Sequence, residues 1–307
     1  MMDTKPVISV DDLRKHYGAT RAVDGVSFQI GKGSIFGLLG TNGAGKTTTF
    51  KCMLGLAFPQ GGEVRFDGEL LRPELFERIS YVPERSALYE WMTGSDHLEL
   101  TKRSFRRYDA ARAQSLVDLF AFDVRKKVKQ LSKGQQSALA LTMAFAIRPE
   151  ILVLDEPSSG LDPVHQRHVL DLMIDAAAGG ATILFSSHQI GQVERAADHV
   201  AIMHKGKIVL AGDVEELRAG EKVVEATFDR DAPDISELAG DPHVRRIMRQ
   251  GRILRAYIRD GGNGIANLIS TAKPASLRVL NQNLEDIFLA AVGDDSAAAL
   301  SAARGEG

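Results

Sequence analysis

One nine-residue segment constrains this chain more than any other. Gly40-Thr41-Asn42-Gly43-Ala44-Gly45-Lys46-Thr47-Thr48 follows the continuously apolar run Ile35–Leu39 and leads into a stretch able to form a helix. A glycine-rich turn between an apolar strand and a helix fixes the local order as strand, loop, helix, and its glycines let successive backbone N–H groups wrap one anion. The helix adds its positive N-terminal end. Lys46 can then reach the β- and γ-phosphates of a nucleotide, and the Thr47 hydroxyl can ligate Mg2+. Background composition gives the bare pattern in about one chain of this length in a hundred. The strand before it and the helix after it make an accident rarer still.

A second segment completes the chemistry. Ile151-Leu152-Val153-Leu154-Asp155-Glu156 reads as an apolar strand delivering two adjacent carboxylates to its end. Asp155 would hold the magnesium, usually through water, and Glu156 would orient or deprotonate an attacking water. A chance Asp-Glu at a strand end is common; with a phosphate loop upstream the pair becomes a catalytic candidate.

Around these motifs the pattern is that of an α/β fold. Val26, Phe28 and Ile30 alternate, as do Val64 and Phe66, which predicts half-buried antiparallel strands near the start. The runs 35–39, 151–154 and 182–185 are continuously apolar and suit strands covered on both faces. Residues 86–148 show no strand and carry helical segments at 95–102 and 110–120, a helical insertion. Beyond about residue 220 come strand candidates 223–228, 253–258 and 277–280 and a closing helix, Leu284–Val292, which predict a small α+β domain. The expected organisation is therefore 1–219 for the nucleotide-binding domain, 220–293 for the accessory domain, and an Ala-, Gly- and Ser-rich tail, 294–307, that reads as disordered.

Composition excludes several other classes. A net charge of −2 without a long Lys/Arg block argues against a nucleic-acid-binding face or a polybasic membrane anchor. The single cysteine, Cys52, permits no intramolecular disulfide and no cysteine cluster for zinc, which fits a reducing compartment. The longest strongly apolar run, 138–147, is far short of the about 18 residues that argue for a membrane span. With no apolar signal core at the start, the chain is expected in the cytoplasm, reaching a membrane only through a partner.

Leu131-Ser132-Lys133-Gly134-Gln135-Gln136 lies upstream of the Asp155 strand and opens a helix. Here the chain resembles the ABC ATPase family, whose signature reads Leu-Ser-Gly-Gly-Gln. The resemblance implies that Ser132 and Gly134 bind the γ-phosphate of ATP held by a second ATP-binding subunit. Capping the helix, the plain structural role of such a serine, uses the same geometry. The resemblance continues in order. Tyr17 stands where the family stacks an aromatic on adenine, Ser159-Gly160-Leu161-Asp162 resembles the D-loop that communicates across the dimer, and His188 stands where a switch histidine meets the γ-phosphate. The fold it implies is a P-loop NTPase cassette with an antiparallel β subdomain and a helical insertion.

Two departures stand out. Lys133 replaces a family glycine, with a side chain free to point away from the nucleotide. Glu84, in Tyr81-Val82-Pro83-Glu84, replaces a Gln that joins the magnesium site and senses the membrane subunit. Glu84 still offers a hard cation an oxygen, but its charge is repelled by the γ-phosphate unless the metal is in place. These residues, the signature, and Leu284-Glu285-Asp286-Ile287-Phe288-Leu289 together resemble a bacterial exporter branch that pairs an ATPase subunit with a separate permease. The competing reading is a soluble ABC ATPase of DNA repair or translation; the single cassette and near-neutral charge stand against it. The stretch Leu88-Tyr89-Glu90-Trp91-Met92 holds the only Trp of the chain. Either it fills the core of the insertion or part of it lines the groove where the permease docks.

Overall fold

β1 (Ile8–Tyr17) and β2 (Thr20–Ile30) form an antiparallel hairpin. Val26, Phe28 and Ile30 are buried while the residues between them face out, so period two turns one apolar face to a core. β3 (Ile35–Leu39) differs: all five of its residues are buried. The glycine loop follows and opens α1 (Lys46–Met53). β4 (Gly61–Phe66) and the two-residue β5 (Glu69–Leu70) rejoin the hairpin in a four-stranded sheet of order β2-β1-β4-β5. Phe50 and Met53 of α1 share one buried cluster with Val10 and Phe28 of this sheet and with Leu38 and Val153 of the next. These features come from a computed structural model that describes residues 6–85, 87–235, 238, 240–259, 263–281 and 283–292. The tail expected to be disordered, 294–307, lies outside the described residues.

β6 (Ile79–Val82) is an edge of the second sheet, after which the insertion begins. Its helices are α2 (Gly94–Ser104), α3 (Ala110–Phe120) and α4 (Lys133–Ala146). Each starts at a side-chain cap: Thr93 accepts from the Asp96 N–H, Asp109 from the Arg112 N–H and Ser132 from the Gln135 N–H. Such caps contribute about 1 kcal/mol each, which is why the helices begin there. Among the described residues the insertion contains no strand, apart from an isolated bridge between Thr93 and Lys127.

The chain then returns to the sheet through β7 (Ile151–Asp155), α5 (Pro163–Ala178), β8 (Thr182–Ser187), α6 (Ile190–Ala196), β9 (His199–His204) and β10 (Lys207–Asp213). The six strands run β10-β9-β3-β8-β7-β6, and β9 through β6 are joined by parallel pairs. β7 and β8 are buried along their whole length, as the continuous apolar runs predict. Leu39 pairs with Ser187, and Ser186 with Asp155. The carboxyl ends of β3, β8 and β7 thus lie side by side, at the edge where open parallel sheets bind ligands.

The chain divides into two compact units, Met1–Ala211 and Gly212–Gly307. The second holds α7 (Val214–Gly220), β11 (Glu221–Thr227), β12 (Val244–Gln250), β13 (Ile253–Arg259), α8 (Asn263–Thr271), β14 (Ser276–Asn281) and α9 (Leu284–Val292). Its antiparallel sheet has the order β12-β13-β11-β14. Ile265 and Ile269 of α8 pack with Val224, Ala226, Leu254 and Ala256. α7 packs on α9, so it belongs with this unit. No described helix is long and apolar enough to cross a membrane.

Candidate functional site

The glycine loop is shaped by close approach of main chain to main chain. A Cβ on Gly45, which has φ of 112°, would lie 2.2 Å from the Ala22 carbonyl oxygen, and one on Gly40 would lie 2.5 Å from that of Met203. Only glycine fits either place. Lys46 follows at the helix start, nearly buried, and donates to the Gly40 carbonyl at 2.7 Å. Above the loop lies a cavity of about 600 Å³ lined by Asn42 to Thr48, by Thr20, Arg21 and Ala22 of β2, and by Glu84, Glu156 and Lys205. Gly40 and Thr41 serve it from behind, their carbonyls accepting from Lys46.

At the end of β7 the two carboxylates have different environments. Asp155 is fully buried; its Oδ1 accepts from the Ser186 hydroxyl at 2.6 Å, while Oδ2 has no hydrogen-bond partner among the described residues. Glu156 adopts φ of 50°, the left-handed region that non-glycine residues seldom occupy, and its N–H donates to the same Ser186 oxygen at 2.9 Å. Its carboxylate is held between two side chains: Lys46 Nζ lies 3.1 Å from Oε1, an ion pair without hydrogen-bond alignment, and His188 Nδ1 lies 2.8 Å from Oε2. Burial pushes the Glu156 carboxyl up, but the bond from His188 and the charge of Lys46 outweigh it and hold the group below the usual carboxylate range. The same bond raises His188 above the usual imidazole value, against burial. The buried, unpartnered Asp155 oxygen beneath a cavity lined by Thr47 and Glu84 suits a hard divalent cation, which takes oxygen ligands.

Ser132, Gly134 and Asp162 line a different cavity, of about 330 Å³, together with Phe120, Gly160 and His165. Ser132 caps α4 in a reciprocal box with Gln135. A Cβ on Gly134 would sit 2.8 Å from the Gly160 carbonyl oxygen, so the signature helix and the Asp162 loop touch through a residue without a side chain. Asp162 caps α5 by accepting from the Val164 and His165 N–H groups and also pairs with the His165 ring; the backbone bond from His165, then its ring, lower the Asp162 carboxyl.

The structure therefore gathers residues 42–48, Glu84 and Glu156 at one cavity, with Asp155 beneath and His188 attached through Glu156. Ser132, Gly134 and Asp162 form a second cluster. Tyr17 lines neither cavity: it stands at the end of β1, 52% exposed, with Lys15 Nζ 5.0 Å from its ring centroid. A third hollow, of about 240 Å³, lies between β6 and the insertion and is lined by Tyr81, Pro83, Leu88, Phe105, Met143 and Ile147 among others. Trp91 is 69% exposed and sits against Tyr89 with ring centroids 5.8 Å apart, so the reading of Trp91 as a core residue is overturned.

The family described as ABC transporter matches residues 23–159, the span from within β2 through Asp155 and Glu156 to the loop beyond them. Nod factor export ATP-binding protein I of Ralstonia nicotianae is 34% identical over 304 residues, 94% of either chain. This chain is an ATP-binding subunit of the ABC transporter family. A second relative of the subunit, the bacitracin transport ATP-binding protein BcrA of Enterococcus faecalis, is 30% identical over 95% of this chain and 98% of its own. A solved ATP-binding subunit of an ABC transporter superposes with a TM-score of 0.64 at 31% identity, over 69% of this chain and 92% of its own. The full-length relatives thus extend over the C-terminal unit as well.

Sequence reasoning missed several residues of the ABC subunit's cavity. Thr20, Arg21, Ala22 and Lys205 line it, and Ser186 holds both carboxylate-bearing residues. For Ser186 there was a signal: two serines closing an apolar strand directly before His188. Lys205 gave none, since it reaches the site from the turn between β9 and β10.

Proposed function

We propose that this subunit hydrolyses ATP as one half of a dimer and drives a separate membrane permease in the export direction. One observation carries the reading: the glycine loop, Glu84 and Glu156 line one cavity, and Ser132 and Gly134 line another. A chain built this way holds two different half-sites, each to be completed by a second copy or a related subunit. The names of the Nod factor and bacitracin relatives support transport, and the first supports export.

The loop N–H groups and Lys46 bind the triphosphate, and the helix N-terminus behind them favours its charge. Mg2+, held by Thr47, Asp155 and Glu84, would neutralise charge on the β- and γ-phosphates. Glu156 accepts the proton of the attacking water, while His188 fixes the carboxylate's direction through Oε2. Lys46 links binding to catalysis, because the ammonium paired with Glu156 is also the fixed cation behind the loop. Asp162 belongs to the dimer contact and Tyr17 to the adenine end. The hollow beside Leu88 takes a cytoplasmic helix of the permease, with Tyr89 and Trp91 exposed in the same stretch.

Glu156→Gln tests this directly, since it keeps the shape and removes the base. The variant should bind ATP with unchanged affinity, hydrolyse it about 100-fold more slowly or worse, and form an ATP-dependent dimer by light scattering. Hydrolysis at the wild-type rate would remove Glu156 from the mechanism.

A further inference from the structure

Among the described residues, the buried oxygens without a hydrogen-bond partner at this end of the site include Asp155 Oδ2 and the Tyr81 hydroxyl. β6 and β7 are parallel neighbours, and Tyr81 pairs in register with Val153. Asp155 is two residues beyond Val153 on the same strand, so Tyr81 and Asp155 leave the same face of the sheet. Tyr81 also lies on the segment that ends at Glu84. Its phenol is pushed up, by burial first and then by the carboxylates of Asp155 and Glu84, so it remains a proton donor facing acceptors.

A buried hydroxyl without a partner destabilises the fold, and phenylalanine would fill the same space without that cost. Retaining tyrosine makes sense if another state of the site supplies an acceptor. We propose that Tyr81 is a positioning residue for the metal-binding carboxylate: its hydroxyl donates to Asp155 Oδ2 when the site closes on its metal-bearing nucleotide. Ser186 already fixes Oδ1. With both oxygens held, one remaining lone pair of Oδ2 is directed at the cation. The inference rests on the reading above that Asp155 holds the metal, and it adds a residue outside the glycine loop, the carboxylate pair and the signature.

The test uses the full chain with Mn2+ in place of Mg2+ and a non-hydrolysable ATP analogue, following free Mn2+ by its EPR signal. Tyr81→Phe should weaken Mn2+ binding to the nucleotide complex about 10- to 100-fold, the range that a hydrogen bond to a charged group supports, and leave analogue binding in EDTA unchanged. In an Asp155→Asn background the same substitution should have no further effect, since Tyr81 acts through that carboxylate. The metal-free Tyr81→Phe chain should melt at or above the wild-type temperature. Unchanged Mn2+ affinity, additive losses in the double variant, or a lowered melting temperature each overturn the proposal. If Asp155→Asn alone leaves Mn2+ binding intact, the assignment of the metal site has failed instead, and the two failures are distinguishable.

Discussion

Replacing Ser186 by alanine removes one oxygen that serves both Asp155 and Glu156. The hydroxyl donates to Asp155 Oδ1 at 2.6 Å and accepts from the Glu156 N–H at 2.9 Å, and Ser186 and Asp155 are fully buried. The first bond, to a charged group, is worth about 1.5 to 3 kcal/mol, and a backbone N–H left without its acceptor costs about 1 to 3 kcal/mol. The missing hydroxyl no longer has to be desolvated, which offsets part of this, so Ser186→Ala should cost about 3 kcal/mol. For a unit of this size that is roughly 9 °C in Tm. Differential scanning calorimetry of the full chain measures it, with Ser104→Ala as control. The Ser104 hydroxyl donates to the Leu100 carbonyl on an exposed surface, so the control should stay within about 0.5 kcal/mol. A Ser186→Ala loss as small as the control's would refute the view that this oxygen organises the site.

Mixing an inactive Lys46→Ala chain with an inactive Ser132→Arg chain should restore one intact site per mixed dimer; wild-type activity of Ser132→Arg alone would sink the two-half-site reading. Trp91 should emit as a solvated indole and be strongly quenched by acrylamide, and Trp91→Ala should change stability by less than about 0.5 kcal/mol; a blue-shifted, shielded emission would contradict its exposure. Burial, then the neighbouring charge of Glu285, raises the Asp286 carboxyl despite Arg255 and Tyr257. The folded state therefore holds this proton more tightly than the unfolded chain, a contribution present below the ordinary Asp range and lost as pH rises through the raised value. Circular-dichroism melts of Asp286→Asn should show a flatter pH dependence and higher stability at neutral pH.

The elements legible in the sequence were those whose local pattern decides their environment. β3, β7 and β8 announced themselves as continuous apolar runs, and α9 matches its expected bounds. β12 was not legible: three arginines interrupt its pattern, and as an edge strand it needs no continuous apolar run. Ser186 was missed because its role depends on β8 lying beside β7, a tertiary register that local sequence does not carry. The placement of Lys46 and Glu156 at one cavity was legible because each follows an apolar strand, and in open parallel sheets such strand ends face the ligand edge. The aromatic stretch around Trp91 stood out by composition, yet composition could not say whether it faces inward.

The clashes that reserve Gly40 and Gly45 for glycine have a genetic consequence. The nearest obstacle at each is a backbone oxygen, of Met203 and of Ala22, and Gly206 in the adjoining turn meets the Arg21 carbonyl oxygen at 2.7 Å in the same way. Main-chain atoms are common to every amino acid, so no substitution at the contacting position removes the obstacle. A side-chain clash can be relieved by a smaller partner; these cannot. A search for second-site revertants of Gly45→Ala should therefore return true revertants to glycine, and no compensating change at Ala22, even though the adjacent Met203 side chain is free to shrink.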